Sequence, residues 1–263
     1  MKVAVALVIF LPCVLAVGCG NRLQFLGGDR IVGGADALPH EFPWQVSVNV
    51  LNTHYCGGAV WNENWIVTAA HCADYFFFVY KVLAGKHILT RPETLDESRF
   101  VNEVVVHPKY SGEDTVDYDI ALMKLSSPLK FNRHVGPVCA PQANEDFTNR
   151  TCTATGWGLT SKDGEESNIL QKVDLRVWNQ NDCKEAYAEV NNVTDRMMCA
   201  GYKDGGMSPC NGDSGGPLVC QNTDGSWALA GITSWGLECG GANEPAVFTR
   251  VASVLDWIKA VTE

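Results

Sequence analysis

Beyond Val17 this 263-residue chain has no stretch approaching the ~20 consecutive apolar residues of a membrane-spanning helix, so no membrane anchor is expected in the mature protein. It has no internal repeat and no low-complexity tract, which argues against a solenoid or a disordered linker. Basic residues are in the minority, 20 against 30 acidic ones. The resulting charge of −10 excludes nucleic acid and acidic polysaccharide as natural partners. No CxxC pair and no HExxH motif occurs, so no metal or other cofactor is expected. Charged residues are only 19% of the chain and apolar ones 46%, a balance that supports a sizeable core rather than disorder.

What is present begins with export. Lys2 precedes an apolar run from Val3 to Val17, interrupted by Pro12 and ending near Ala16 and Gly18. Residues 1–18 therefore read as a signal peptide and predict a secreted, extracellular protein. Of eleven cysteines, Cys13 lies in that run. The other ten are Cys19, Cys56, Cys72, Cys139, Cys152, Cys183, Cys199, Cys210, Cys220 and Cys239. An even set in an exported chain implies a disulfide framework. Sequons at Asn149 and Asn192 fit the same compartment.

Strand signals dominate the rest. "WQVSVNV" alternates, "WIVTAA" and "FVNEVVVH" are β-branched runs, and "WALAGITSW" reads as a further strand. Glycine and aspartate turns separate them, as in "KDGEE" and "TDGS". The one helix expected is "VASVLDWIKAV" at the end, where Val251, Val254, Leu255 and Ile258 share a face. The fold class is all-β with a C-terminal helix.

Three segments carry chemistry: "VTAAHC" with His71, "DYDIALMKL" with Asp119, and "GDSGGP" with Ser214. A serine hydroxyl becomes a nucleophile only when a base takes its proton, and a histidine base is best oriented by a buried carboxylate. In this order the three resemble the chymotrypsin-like (trypsin-fold) serine proteases, from about Cys19 to the C-terminus. The resemblance implies two six-stranded antiparallel β-barrels, residues 31–136 and 137–263, forming one peptidase domain. It assigns Ser214 as nucleophile, His71 as base, Asp119 as its orienting carboxylate, and the N–H groups of Gly212 and Ser214 as the oxyanion site.

It also implies a zymogen with a propeptide over residues 19–30. Cleavage of the Arg30–Ile31 bond in "DRIVGG" would free an ammonium on Ile31 to pair with Asp213. His54 and Ser47 match positions that hold this aspartate away in some zymogens of the family, a cross-strand polar pair being the plain alternative. The implied disulfides are Cys19–Cys139, Cys56–Cys72, Cys152–Cys220, Cys183–Cys199 and Cys210–Cys239, the first of which tethers the propeptide after cleavage.

The substrate pocket that the resemblance implies has Ser208 as a neutral floor, with Ser234, Trp235, Gly236 and Ala246 as walls. Such a pocket suits Phe, Tyr, Leu and Met, because a buried charged side chain would lack a partner. Elastase-like cleavage after small residues is the alternative within this class. A non-catalytic homologue on the same fold is the alternative outside it. Expected partners are protein or peptide substrates, a trypsin-like activating protease and protein protease inhibitors, with the chain a monomer. The acidic balance points toward digestive secretion. The aromatic segment Asp74–Tyr80 reads mainly as a core strand, with a wall on the leaving-group side of the cleft as the other possibility. Lys86 stands where an acidic calcium ligand would be needed, so no calcium site is expected.

Overall fold

The computed structural model describes residues 18–23, 34–112, 114–160 and 164–263. The signal-peptide run and the Arg30–Ile31 bond lie outside the described residues. A short strand, β1 (Ala35–Asp36), leads into β2 (Gln45–Val50), β3 (Thr53–Val60), β4 (Trp65–Thr68), β5 (Tyr80–Ala84), β6 (Glu97–Val106) and β7 (Ala121–Leu125). The last six close a barrel in the order β2-β3-β4-β7-β6-β5. All pairings are antiparallel, as short connections between successive strands dictate. Val46, Val48, Ile66, Leu122 and Met123 fill this barrel, each with no exposed surface.

The second sheet is built from β8 (Thr151–Gly156), β9 (Gln171–Arg176), β10 (Met197–Ala200), β11 (Pro217–Gln221), β12 (Trp227–Trp235) and β13 (Ala246–Arg250). Its order, β1-β9-β8-β11-β12-β13-β10, adds β1 as a seventh strand that the sequence reading did not include. The ends of the other six meet through one antiparallel bridge, Val177 with Ala200, flanked by bonds from Trp178 N to Cys199 O and from Gly201 N to Arg176 O. Two barrels of six strands are thus present, the second closed by a bridge rather than by a full ladder.

The predicted C-terminal helix is α2 (Leu255–Thr262), preceded by a 3-10 turn at Val251–Ser253. A shorter helix, α1 (Gln180–Ala186), was not expected. Its signal was local: Asn179 caps it by accepting from Asp182 N at 2.9 Å. All five implied disulfides are formed. Cys19–Cys139 pins residues 18–23 to the second sheet, and Arg22 pairs there with the buried Glu41. Among the described residues no helix is long and apolar enough to cross a membrane.

The alternation of β2 does not place its polar face in water. Gln45, Ser47 and Asn49 are buried, because this face meets the second sheet: Thr155 Oγ1 donates to Gln45 Oε1 at 2.6 Å. Burying polar side chains is tolerable only when they are bonded, and here the bonds knit the two barrels together beside the cleft.

Candidate active site

His71 sits in a 3-10 turn just after β4, and Asp119 lies two residues before the start of β7, the strand paired with β4. This pairing delivers the two side chains to one point. Asp119 has no exposed surface and accepts three bonds: from His71 N at 2.9 Å, from His71 Nδ1 at 2.8 Å, and from Ser234 Oγ at 2.5 Å. Thr249 Oγ1 donates to the Asp119 carbonyl at 2.6 Å. Burial of the imidazole opposes its protonation, but the Asp119 bond and charge, with Asp74 adding to them, hold the His71 pKa above its ordinary value.

The motif "DYD" offers two aspartates, and tertiary contacts distinguish them. Asp117 binds Arg196 and accepts from Thr194 Oγ1. Burial opposes ionisation of Asp117, yet these bonds hold its pKa below the usual value. Asp119 alone faces His71.

Ser214 lies on the turn entering β11, and its carbonyl accepts from Gly57 N at 2.8 Å, so β3 is fastened directly to this turn. The glycines are sterically required. Gly212 has φ +92°, and a Cβ on Gly215 (φ +75°) would stand 2.2 Å from Thr68 Oγ1. Along this turn Asp213 N, Gly215 N and Gly216 N donate to Cys210, Thr233 and Asp213 carbonyls. Among the described residues the intervening N–H groups of Gly212 and Ser214 donate to none. Two free donors in a row of satisfied ones are what an anionic ligand needs.

Asp213 is half-buried and accepts from Gly158 N at 2.8 Å and Cys210 N at 2.9 Å. Burial dominates all the same and pushes its carboxyl up to about 6. It lines a cavity of about 270 Å³ whose wall includes Gly34, Gly156, Met207 and Pro209. His54 does not hold Asp213 in this conformation. Burial, the largest influence on it, lowers the His54 pKa and so favours the neutral ring. Ser47 Oγ lies 2.7 Å from its Nδ1, while Nε2 donates to the Gly212 carbonyl at 3.1 Å. The pair orients the Gly212–Asp213 peptide instead.

Of the expected pocket residues, Ser208 is half-buried and turns its hydroxyl to the Pro209 carbonyl at 2.9 Å. Space beside Gly236 is open, and Ala246 is buried opposite Ala200. Trp235 packs edge-on against Tyr187, with ring centroids 4.7 Å apart. Ser234, expected as a pocket wall, turns its hydroxyl to Asp119. No local signal marks it, since its partner is 115 residues away.

Cys56, His71 and Cys72 bring potential metal-ligand atoms within 4.8 Å of one another, but the sulfurs form a disulfide and offer no thiolate. In the loop after β5, Lys86 Nζ donates to Asp96 at 3.0 Å and to the Arg91 carbonyl, an ammonium filling the loop interior. Asn149 and Asn192 are both exposed.

The Trypsin family model matches residues 31–258, and the chain belongs to the trypsin family of chymotrypsin-like serine proteases. It is 42% identical over 248 residues to transmembrane protease serine 9 of Rattus norvegicus, covering 93% of this chain and 23% of that relative. It is 42% identical over 252 residues to serine proteinase stubble of Drosophila melanogaster, covering 91% of this chain and 32% of the relative. Ovochymase-2 of Mus musculus is 38% identical over 244 residues, 87% of this chain and 40% of its own. The chain thus spans less than half the length of each.

Proposed function

We propose that this chain is a secreted serine endopeptidase, made as a zymogen, that cleaves peptide bonds after large apolar residues. The observation that carries the reading is the fully buried Asp119 carboxylate bonded to both His71 N and Nδ1, with Gly215 of the Ser214 loop packed against Thr68 and Ala69 just before His71. With Nδ1–H held by Asp119, Nε2 is the free base. It takes the Ser214 hydroxyl proton as Oγ attacks the scissile carbonyl, and the Gly212 and Ser214 N–H groups receive the oxyanion. Nε2 then protonates the departing amine, and water repeats the sequence on the acyl-enzyme.

Ser234 is a positioning residue in this scheme. Ser234→Ala removes one bond to an ionised acceptor and is expected to lower kcat about tenfold with little change in KM. A KM effect alone would restrict Ser234 to substrate binding.

The neutral Ser208 floor and the open space at Gly236 support apolar specificity. An enzyme of that preference needs a separate trypsin-like activator to cut after Arg30. The test is secreted protein, nicked with trypsin that is then inhibited, assayed on matched peptides with Phe, Leu, Ala or Arg before the scissile bond. Phe and Leu are expected to lead. Ala246→Gly is expected to raise kcat/KM for the largest side chains by up to about tenfold, the worth of a buried methyl. Preference for Ala would favour the elastase-like reading. A second reading rests on Glu244, whose Oε2 is buried with no partner among the described residues. If Arg peptides lead, that carboxylate, two residues before the wall residue Ala246, is the first candidate for their acidic partner. No turnover after a clean cut would leave the non-catalytic homologue.

A further inference from the structure

The segment Asp74–Tyr80 is not the core strand its composition suggests. It folds as a 3-10 turn at Phe77–Val79 that buries only Tyr80, while Phe76 is 76%, Phe77 46% and Phe78 64% exposed. The rings are nevertheless ordered among themselves. Phe76 and Phe78 stack at 5.6 Å, Phe77 meets Phe78 edge-on at 5.9 Å, and Tyr75 packs edge-on against Tyr55 at 5.5 Å. Adjacent exposed aromatic rings of this extent mark an interaction surface.

Its position identifies the occupant. A peptide bond hydrolysed at Ser214 has an acyl half and a leaving half, on opposite sides of that serine. The acyl half belongs to the pocket of Ser208 and Ser234–Gly236, all from the second sheet. The leaving half must then cross the first barrel, where Gly57 N binds the Ser214 carbonyl and the Cys56–Cys72 disulfide joins β3 to the His71 turn. Tyr55 directly precedes that disulfide on β3, and Asp74 follows it by two residues. The charge of exposed Asp74 is felt by both His71 and Tyr55, which places it on this flank of the site.

A carboxylate beside exposed ring faces suits a side chain with a long apolar stem and a cationic end. We propose that Tyr55, Asp74, Tyr75 and the Phe76–Phe78 turn form a leaving-group subsite that selects arginine or lysine just beyond the scissile bond. This rests on the endopeptidase reading above and deepens it.

The experiment uses activated full-length protein and peptides with a common Phe acyl half, carrying Arg, Leu or Asp at the first or second position after the scissile bond. A Phe ester without leaving-group residues runs in parallel. Arg is expected to exceed Leu by about fivefold and Asp by more, with the margin shrinking as salt screens the exposed charge. Asp74→Asn should bring the Arg:Leu ratio toward one. The double variant Phe76→Ser/Phe78→Ser should lower the Arg:Leu ratio as well. Only ratios are compared, so the influence of Asp74 on His71 cancels. Ester turnover with equal use of Arg, Leu and Asp, or an Arg:Leu ratio unmoved by Asp74→Asn, overturns the subsite while leaving the endopeptidase standing. Failure to turn over the ester overturns both.

Discussion

Asp119→Asn in the activated protein is expected to lower kcat on the order of 10⁴-fold, the scale this tautomer error has in other serine proteases, with KM little altered. The carboxylate accepts from His71 N, His71 Nδ1 and Ser234 Oγ and has no exposed surface of its own to touch a substrate. An amide in its place has one accepting oxygen, and its NH₂ group faces a donor if Nδ1 keeps its proton. The imidazole resolves the clash by carrying its proton on Nε2, where it can no longer accept from Ser214. The pH profile should move too. Activity needs neutral His71, so a raised pKa sets the acid limb higher than an ordinary imidazole would. Without the Asp119 bond and charge, burial dominates and the limb should shift to lower pH. A variant within tenfold of the parent would mean that Asp119 is structural and the base is oriented by something else.

Arg30→Gln, which blocks the proposed activation cut, is expected to leave turnover more than about 10³-fold below the trypsin-nicked parent, as when oxyanion donors are lost. The reason is electrostatic. Asp213 has its carboxyl raised to about 6, above the ordinary 3.8, with burial as the largest cause. A raised carboxylate favours the folded protein only when protonated. The destabilisation is therefore absent below about pH 4, grows between 4 and 6, and reaches about 3 kcal/mol above that window. An Ile31 ammonium would offset it. Gly34 lines the same cavity as Asp213, and the three residues from Ile31 to Gly33 can reach up to about 10 Å. Thermal unfolding should then show the nicked protein more stable than Arg30→Gln by roughly 5–10 °C at pH 7 and by much less at pH 4. Equal stability at both pH values, with activity already present before the cut, would remove Asp213 from the switch.

Much of this site was legible in the chain. His71, Asp119 and Ser214 stand in short motifs whose neighbours are constrained by backbone geometry: Gly212 and Gly215 have φ values that only glycine adopts easily. The β-branched runs of β4 and β6 announced themselves by composition. The aromatic segment misled for the same reason. Hydrophobicity says that a side chain prefers burial, not that a neighbour exists to bury it, and Phe76–Phe78, though they touch one another, stay exposed. Helix α1 escaped notice because its seven residues bury only Cys183, too little for an amphipathic period to show.

By itself the sequence determined the chemistry available, the presence of an uncharged serine at position 208, the Arg30–Ile31 bond, and the cysteines that, read through the family resemblance, fall into five pairs. Tertiary structure alone decided which of Asp117 and Asp119 faces His71, that Ser234 supports the carboxylate across 115 residues, and that His54 binds the Gly212 carbonyl rather than Asp213. Local spacing constrains what a few neighbouring residues can do. Partners so far apart in the chain meet only when two barrels have closed and packed, because burial and bonding across that interface depend on every strand at once.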